Sequence, residues 1–159
     1  MKHSPSQTTG PVHVDAARQE DVEAIRGMMA AAYGKYIARI GKPPAPMTAD
    51  YAGPVAQGRV FVLRGPEGLL GSILIGSEAD AVTVNNLCVA PAAQGKGYGR
   101  MLMDYAEAVA RADGLAAVTL YTNEKMHENI AMYAKLGFVE TGRRVEDGFA
   151  RVYFRKELA

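Results

Sequence analysis

The sequence is poor in the residues that build disulfides and metal centres. It has one cysteine and three histidines among 159 residues, so we expect neither a disulfide framework within the chain nor a site of clustered thiolates. His3, His13 and His127 do not stand at the spacing of metal ligands, and no metal site is expected. Cys88 lies in the apolar segment NNLCVAP and is predicted to be a small buried hydrophobic residue, not a catalytic thiol.

An excess of one charge and long apolar runs are also missing. Lysine and arginine total 18 against 17 acidic residues, whereas a nucleic-acid-binding domain normally has a strongly basic face, so we expect no nucleic-acid partner. No apolar run approaches the roughly 18 to 20 residues of a membrane span, and no signal-peptide core follows the start. The sequence therefore predicts a protein without a membrane partner, and the cytoplasm is the simplest compartment.

The order of apolar patterns predicts one domain after a short leader. Residues 1–10 are polar and lack periodicity, which is typical of a mobile leader. Residues 11–159 contain no repeat or linker and are enough for one domain with a buried core. Their periodicities predict the order β, α, α, β, β, β, α, β, α, β, β. The first helix is expected to begin near Asp21 and run through Ile37, and the proline-rich segment at 41–53 is expected to be a semi-rigid loop. This order indicates a mixed sheet with one right-handed β-loop-α-β crossover, which is an α/β or α+β fold.

The segment QGKGYGRML, residues 94–102, follows a predicted strand and opens a predicted helix. It lacks the hydroxyl residue that a triphosphate-binding loop places after Gly-Lys. A dinucleotide fingerprint requires a third glycine three residues after its second, and counted from Gly97 that position is Arg100. The remaining pattern is Gln94-x-x-Gly97-x-Gly99, in which unpaired amides at a helix start bind an anion and glycines let the backbone approach it. The alternative is an ordinary tight turn between a strand and a helix.

Two segments resemble the GNAT superfamily of N-acyltransferases. LCVAPAAQGKGYGRMLMDYAEAVA is similar to that family's acyl-coenzyme A motif, and TNEKMHENIAMYAKLGFVETG is similar to its next motif; the likeness covers residues 82–142 well. It implies a mixed, mostly antiparallel sheet flanked by helices, with acetyl-CoA as co-substrate and no metal. It also suggests a homodimer.

The resemblance further implies the residues that bind the coenzyme. Leu87, Cys88 and Val89 would lend backbone groups to the pantetheine arm and the thioester carbonyl, and Asn129 would contact the same arm. Tyr133 matches the family tyrosine that protonates the departing thiolate. The pyrophosphate would be held by Gln94, Gly95, Lys96, Gly97, Tyr98, Gly99 and Arg100.

The general base and the acceptor are less well marked. Many relatives carry a glutamate near the position of Asn85, which cannot take a proton, so Glu78, Asp80 or an ordered water is considered instead. Asn85 is then expected to position a water or the acceptor amine. The front segment supplies aromatic and stiff apolar residues, among them Tyr33, Tyr36 and Tyr51, which either form an acceptor pocket or pack the helices against the sheet.

Three functional hypotheses follow from these residues. The first is acetyl transfer from acetyl-CoA to a primary amine of a small molecule, by direct attack in a ternary complex. The second is acetylation of a protein N-terminus or lysine. The third, from a different class, is a non-catalytic module that senses acyl-CoA, which the missing glutamate makes worth considering.

Overall fold

The computed structural model describes residues 8–9 and 12–159. The predicted leader at 1–10 therefore lies, except for Thr8–Thr9, outside the described residues. The strands are β1 (Thr8–Thr9), β2 (Val12–Ala16), β3 (Val60–Gly65), β4 (Gly68–Glu78), β5 (Ala81–Val89), β6 (Ala117–Asn123), β7 (Val139–Glu146) and β8 (Phe149–Glu157). The α-helices are α1 (Val22–Tyr33), α2 (Tyr36–Ile40), α3 (Ala45–Thr48), α4 (Ala52–Ala56), α5 (Tyr98–Ala112) and α6 (His127–Lys135).

The described strands form one sheet in the order β1-β2-β3-β4-β5-β6-β8-β7. Every neighbouring pair is antiparallel except β5 and β6, which α5 connects as a parallel crossover. The predicted mixed, mostly antiparallel sheet is thus confirmed. In the part of the chain that the structure describes, no helix is long and apolar enough to cross a membrane.

Alternation along the strands divides the core between two layers of helices. In β3, Val60 and Val62 point into a cluster with α1 and α4, while Leu63 points into a cluster with α5 and α6. This is the expected result of side chains alternating between the two faces of a strand. Helices cover both faces of the central strands, so the ends of these strands are the places left for a site.

The front of the chain differs from its predicted structure in two ways. The first helix does not continue to Ile37: α1 ends at Tyr33, and α2 begins at Tyr36 after Gly34. A Cβ at position 34 would lie 2.8 Å from the Ala30 carbonyl oxygen, so the glycine permits this break. The predicted loop at 41–53 contains the short helix α3. Pro46 is compatible with this helix because it stands in the first turn, where a missing N–H costs nothing.

The parallel pairing of β5 with β6 stops halfway along β5. It extends from Ala81 to Val84 on β5 and ends there. Beyond Val84 the register between β4 and β5 shifts, and Asn86 takes a positive φ of 52°. Such a bulge bends the strand that carries the extra residue. The end of β5 therefore leaves β6, which stays paired with β8 as far as Asn123, and a gap opens between the two central strands.

Candidate active site

The end of β5 presents unpaired backbone groups to this gap. The amide of Ala90 bonds the Leu70 carbonyl on the β4 side, so the alternation of an extended strand directs the peptide groups of Leu87 and Val89 away from β4. The two carbonyls accept hydrogen bonds from side chains: Tyr33 Oη donates to Leu87 O at 2.5 Å, and Gln94 Nε2 donates to Val89 O at 3.1 Å. The N–H groups of Leu87 and Val89 face the same gap and can serve a ligand.

The glycine loop presents further unpaired amides beside the gap. Within residues 8–9 and 12–159, no group accepts a hydrogen bond from the backbone N–H groups of residues 95–100. Gly95 and Gly97 hold φ angles of 83° and 84°, in the left-handed region that favours glycine. α5 begins directly after them at Tyr98, so the positive end of its dipole adds to the same place. The loop is an anion site of the kind found at helix N-termini.

A long cavity, termed the loop cleft, joins the glycine loop to the end of β5. Its floor is β5 and α5, and its walls are α6 on one side and the junction of α1 with α2 on the other. Ten of the eleven residues predicted to bind the coenzyme line it: Leu87, Cys88, Val89, Gln94, Gly95, Gly97, Tyr98, Gly99, Arg100 and Asn129. Lys96 contributes to the loop, but its side chain is exposed and outside the lining.

A second cavity, termed the β6–β8 pocket, lies beyond the gap. Its lining includes the segment Pro44–Pro46, Asn85 and Asn86 of β5, Tyr121, Thr122 and Asn123 of β6, and Phe149 and Arg151 of β8. Four residues line both cavities: Tyr33, Leu87, Asn129 and Tyr133. A group lying at the gap can therefore be reached from two sides.

Tyr133 stands where the two cavities meet. It projects from α6, is buried, and packs its ring against Phe138 and Phe154 at centroid distances of 5.9 Å each. Its hydroxyl makes no hydrogen bond to any described residue. Burial raises the pKa of Tyr133 above its ordinary value, with a smaller contribution from Tyr36. The phenol therefore stays protonated and has a free donor at the gap.

Residues 56–140 match the family described as "Acetyltransferase (GNAT) domain". The chain belongs to this family of acetyltransferases. The sequence is also 39% identical over 72 residues to an IAA acetyltransferase of Azospirillum brasilense, a match that covers 45% of this chain. The matched segment spans about half the length of that curated relative, 47%.

Solved structures of acetyltransferases share the fold of this GNAT chain. The PaiA N-acetyltransferase of Thermoplasma acidophilum, in complex with coenzyme A, superposes with a TM-score of 0.74 at 15% identity, over 92% of this chain and 99% of that one. YncA of Salmonella typhimurium, a structure with acetyl-CoA, superposes with a TM-score of 0.69 at 20% identity, over 93% and 94%.

Two predicted acceptor residues of this GNAT domain have different positions from those expected. Tyr36 lines the loop cleft and not the β6–β8 pocket. Tyr51 lines neither cavity: it is 1% exposed in the core under α1, and its hydroxyl donates to Pro46 O at 2.6 Å. Of the two alternatives for Tyr51, this position favours packing of the helices against the sheet; its hydroxyl contacts Pro46, which lines the β6–β8 pocket. Tyr33 and Asn85 do line that pocket.

Glu78 and Asp80 are in the wrong place to act as a base at the gap. Both precede β5, whose first half separates them from the bulge, and Asp80 is about 20 Å from Leu87 at the spacing of an extended strand. Asp80 also accepts two hydrogen bonds from Arg155, and these lower the pKa of its carboxyl. Of the alternatives considered from the sequence, their positions leave the ordered water.

The sequence reasoning missed the contribution of β8. Phe149 and Arg151 follow the Asp147–Gly148 hairpin and face the β6–β8 pocket. They lie outside residues 82–142, to which the resemblance was confined. The signal was Arg151 within the otherwise apolar segment FARVYF at 149–154, since a buried arginine requires partners.

Cys88 gives a direct test of how dry the loop cleft is. The thiol is buried, donates weakly to Met28 O at 3.6 Å, and burial raises its pKa to about 12. Only about one thiol in 10⁴ would then be ionised at pH 8, so we expect iodoacetamide to modify the folded protein at least about a hundredfold more slowly than free cysteine. Because the chain has one cysteine, mass spectrometry measures the rate at a single site. Urea-unfolded protein is the control, and equal rates in the folded and unfolded chains would contradict this description.

Proposed function

We propose that the protein transfers the acetyl group of acetyl-CoA to a primary amine of a small molecule, by direct attack within a ternary complex. The observation that carries this proposal is the meeting of two cavities at one buried phenol. The loop cleft offers a place for a phosphorylated thioester, and the β6–β8 pocket offers a place for the amine. Tyr33, Leu87, Asn129 and Tyr133, which line both, surround the point where the two reactants would touch.

The loop cleft suits acetyl-CoA along its whole length. The amides of residues 95–100 would bind the pyrophosphate, with the charges of Lys96 and Arg100 beside them. The pantetheine arm would lie along the free edge of β5, where Leu87 and Val89 present N–H groups. One of these amides would donate to the thioester carbonyl oxygen as negative charge develops on it. This hydrogen bond would lower the barrier by about 3 kcal/mol. The fold shared with coenzyme A complexes supports this orientation.

The chemical step needs an acid for the sulfur. The neutral amine nitrogen attacks the carbonyl carbon, a C–N bond forms, and the C–S bond breaks when the tetrahedral intermediate collapses. The electron pair of the C–S bond stays on sulfur, and Tyr133 donates its proton there. The burial that raises the pKa of Tyr133 also raises that of a thiol in the same cleft, as the value of about 12 for Cys88 illustrates. The two anions are destabilised together, so proton transfer from phenol to thiolate remains feasible.

The amine must lose a proton without help from a nearby carboxylate. Among the described residues that line the β6–β8 pocket, none is aspartate or glutamate. Asn85 and Asn86 offer amide groups that can order a water, and this water would carry the amine proton to solvent. The phenolate of Tyr133 recovers its proton from solvent after coenzyme A leaves, which balances the cycle.

The β6–β8 pocket favours a small acceptor over a protein chain. The proline-rich segment Pro44–Pro46 forms part of its wall, and Tyr51 holds this segment through Pro46; a stiff wall favours a compact acceptor over a peptide, which needs an open groove. Similarity to an IAA acetyltransferase supports a small-molecule acceptor. A non-catalytic acyl-CoA sensor is the second candidate, because the pocket residues that the structure describes include no carboxylate base.

Gly97→Val tests the glycine loop. Valine at a φ of 84° costs about 1–2 kcal/mol, and its side chain would enter a space where the described chain has no atom within 4 Å. We expect the Kd of acetyl-CoA, measured by calorimetry, to rise at least about tenfold. Gly58→Val is the matched control, since Gly58 has a φ of 72°, equally open surroundings and no place in the cleft. Unchanged affinity in Gly97→Val would refute the role of the loop.

Tyr133→Phe tests the acid. Loss of a general acid typically costs about 10²–10⁴ in rate, so we expect kcat to fall at least about a hundredfold while the Kd of acetyl-CoA stays nearly constant. Because burial raises the pKa of Tyr133, the protonated acid persists as pH rises. For the wild type, kcat/KM should climb with deprotonation of the acceptor amine and reach a plateau without a falling limb below pH 10.

Thiol release across a panel of amines measures kcat and kcat/KM. Full kcat in Tyr133→Phe, with chemistry shown to be rate-limiting, would contradict the acid assignment. Tight binding of acetyl-CoA without turnover on any amine or peptide would favour the sensor. Turnover on peptides alone would favour a protein acetyltransferase.

A further inference from the structure

Among the described residues that line the β6–β8 pocket, one has a charged side chain, and it is a cation. Among the described residues of its lining, the polar groups are amides, hydroxyls, peptide groups and the guanidinium of Arg151. A pocket that selected only for an ammonium group would be expected to offer it a carboxylate. The lining instead presents positive charge, which points to a second, anionic group on the acceptor.

Arg151 is buried but incompletely bonded. The residue is 8% exposed, and its one hydrogen bond among the described residues joins Nη1 to Glu146 Oε1 at 3.4 Å. Its other ion pair, with Asp147, is 3.7 Å long and also uses Nη1. Neither Nε nor Nη2 has a hydrogen-bond partner in the part of the chain that the structure describes. Neither atom is fully enclosed, so these two N–H edges remain free to donate to a ligand in the pocket that Arg151 lines.

Stacking fixes the direction of this guanidinium. It lies over the ring of Tyr121 at 4.3 Å and near that of Phe149 at 5.9 Å, and both rings line the same pocket. The pairing of Arg151 with Asn123 across β6 and β8 sets its position in the sheet. An arginine held in this way loses little freedom when it binds a planar carboxylate through two parallel hydrogen bonds.

Charged side chains of both signs lie around Arg151, outside the lining of the pocket. Lys42 lies 4.4 Å above the Phe149 ring and donates to Gly148 O at 2.7 Å. The carboxylates facing Arg151 belong to Glu146 and Asp147, whose side chains are 41% and 84% exposed. Glu146 is also shared with Arg144 at 3.4 Å. Both ion pairs of Arg151 are with solvated carboxylates, which contribute little, and both use Nη1, so Nε and Nη2 stay available to a ligand.

We propose that the acceptor is an amino carboxylate, in which the skeleton that carries the reacting amine also carries a carboxylate bound by Arg151. This inference rests on the proposed function and names its substrate class. The carboxylate is unchanged by the reaction: the C–N bond forms, the C–S bond breaks, sulfur takes the proton of Tyr133, and the amine proton passes to water. The positive charge of Arg151 also disfavours a bound ammonium, which lowers the pKa of the acceptor amine and helps it to react as the free base.

Binding of reaction products tests the pocket without requiring turnover. With coenzyme A present, calorimetry compares N-acetyl-alanine, N-acetyl-leucine and N-acetyl-phenylalanine with the N-acetyl derivatives of ethylamine, isopentylamine and phenethylamine. We expect at least one carboxylate ligand to bind about tenfold or more tightly than its partner without a carboxylate. Equal affinities throughout all three pairs, or tighter binding of the neutral partners, would overturn the proposal.

Substitution of Arg151 ties the preference to this residue. Arg151→Gln should abolish the preference for carboxylates. Arg151→Lys keeps the charge but loses the two parallel N–H donors of the guanidinium, and it should keep only part of the preference. Arg143→Gln on β7, an exposed arginine paired with Glu140, is the control and should keep all of it. A preference that survives in a folded Arg151→Gln protein would overturn the assignment. If Arg151→Gln does not fold, the wild-type ligand pairs still decide the proposal.

Turnover separates this inference from the proposed function. Thiol release with alanine, leucine and phenylalanine against their decarboxylated amines should show a kcat/KM preference for the carboxylates in the wild type. Preferential binding of carboxylates without any turnover would support the pocket and refute the acetyltransferase. Turnover that favours amines without a carboxylate would support the proposed acetyl transfer and refute the binding of a carboxylate by Arg151.

Discussion

The separation of β5 from β6 beyond Val84 is the constraint on which the site depends. A central pair of strands that stayed paired to its end would satisfy its own backbone groups and leave no room between the strands. Because the chain adds one residue at the Asn86 bulge, the peptide groups of Leu87 and Val89 lose their neighbours on β6. The same divergence lets the loop cleft and the β6–β8 pocket approach each other from opposite sides. One irregularity in a sheet thus provides both the donors and the space.

Exclusion of water governs the chemistry at this junction. Burial raises the pKa values of Tyr33, Tyr133 and Cys88, all of which lie around the gap. Each group is therefore held neutral, and any anion formed there depends on fixed N–H donors. Charged pairs lie outside this dry region. Arg39 joins Glu128 across the mouth of the loop cleft at 2.8 Å, and its hydrogen bonds lower the pKa of that carboxyl to about 2. Arg151 is the exception: it lies at the pocket wall, and its Nε and Nη2 have no hydrogen-bond partner among the described residues, which is why it indicates a ligand.

Local patterns predict much of this structure, and contacts distant in sequence explain the remainder. Glycines at alternate positions after an apolar strand predict the anion site, since the amides and the φ angles belong to one short segment. The position of Tyr51 is not accessible in this way, because an aromatic residue in an apolar segment has the same pattern whether it lines a pocket or fills the core. The roles of Asn86 and Arg151 depend on strand pairing, which joins residues far apart in the chain. A general base could not be placed from the sequence, and the described lining offers no carboxylate that would serve.

A crystal structure of the complex with acetyl-CoA tests the central claim most directly. We expect the pyrophosphate to accept hydrogen bonds from the amides of residues 95–100 and the pantetheine arm to lie between β5 and β6. The thioester sulfur should then be about 3–4 Å from the hydroxyl of Tyr133, with the carbonyl oxygen at an amide of Leu87 or Val89. A thioester that lies outside the gap, or a sulfur atom beyond the reach of Tyr133, would contradict the account.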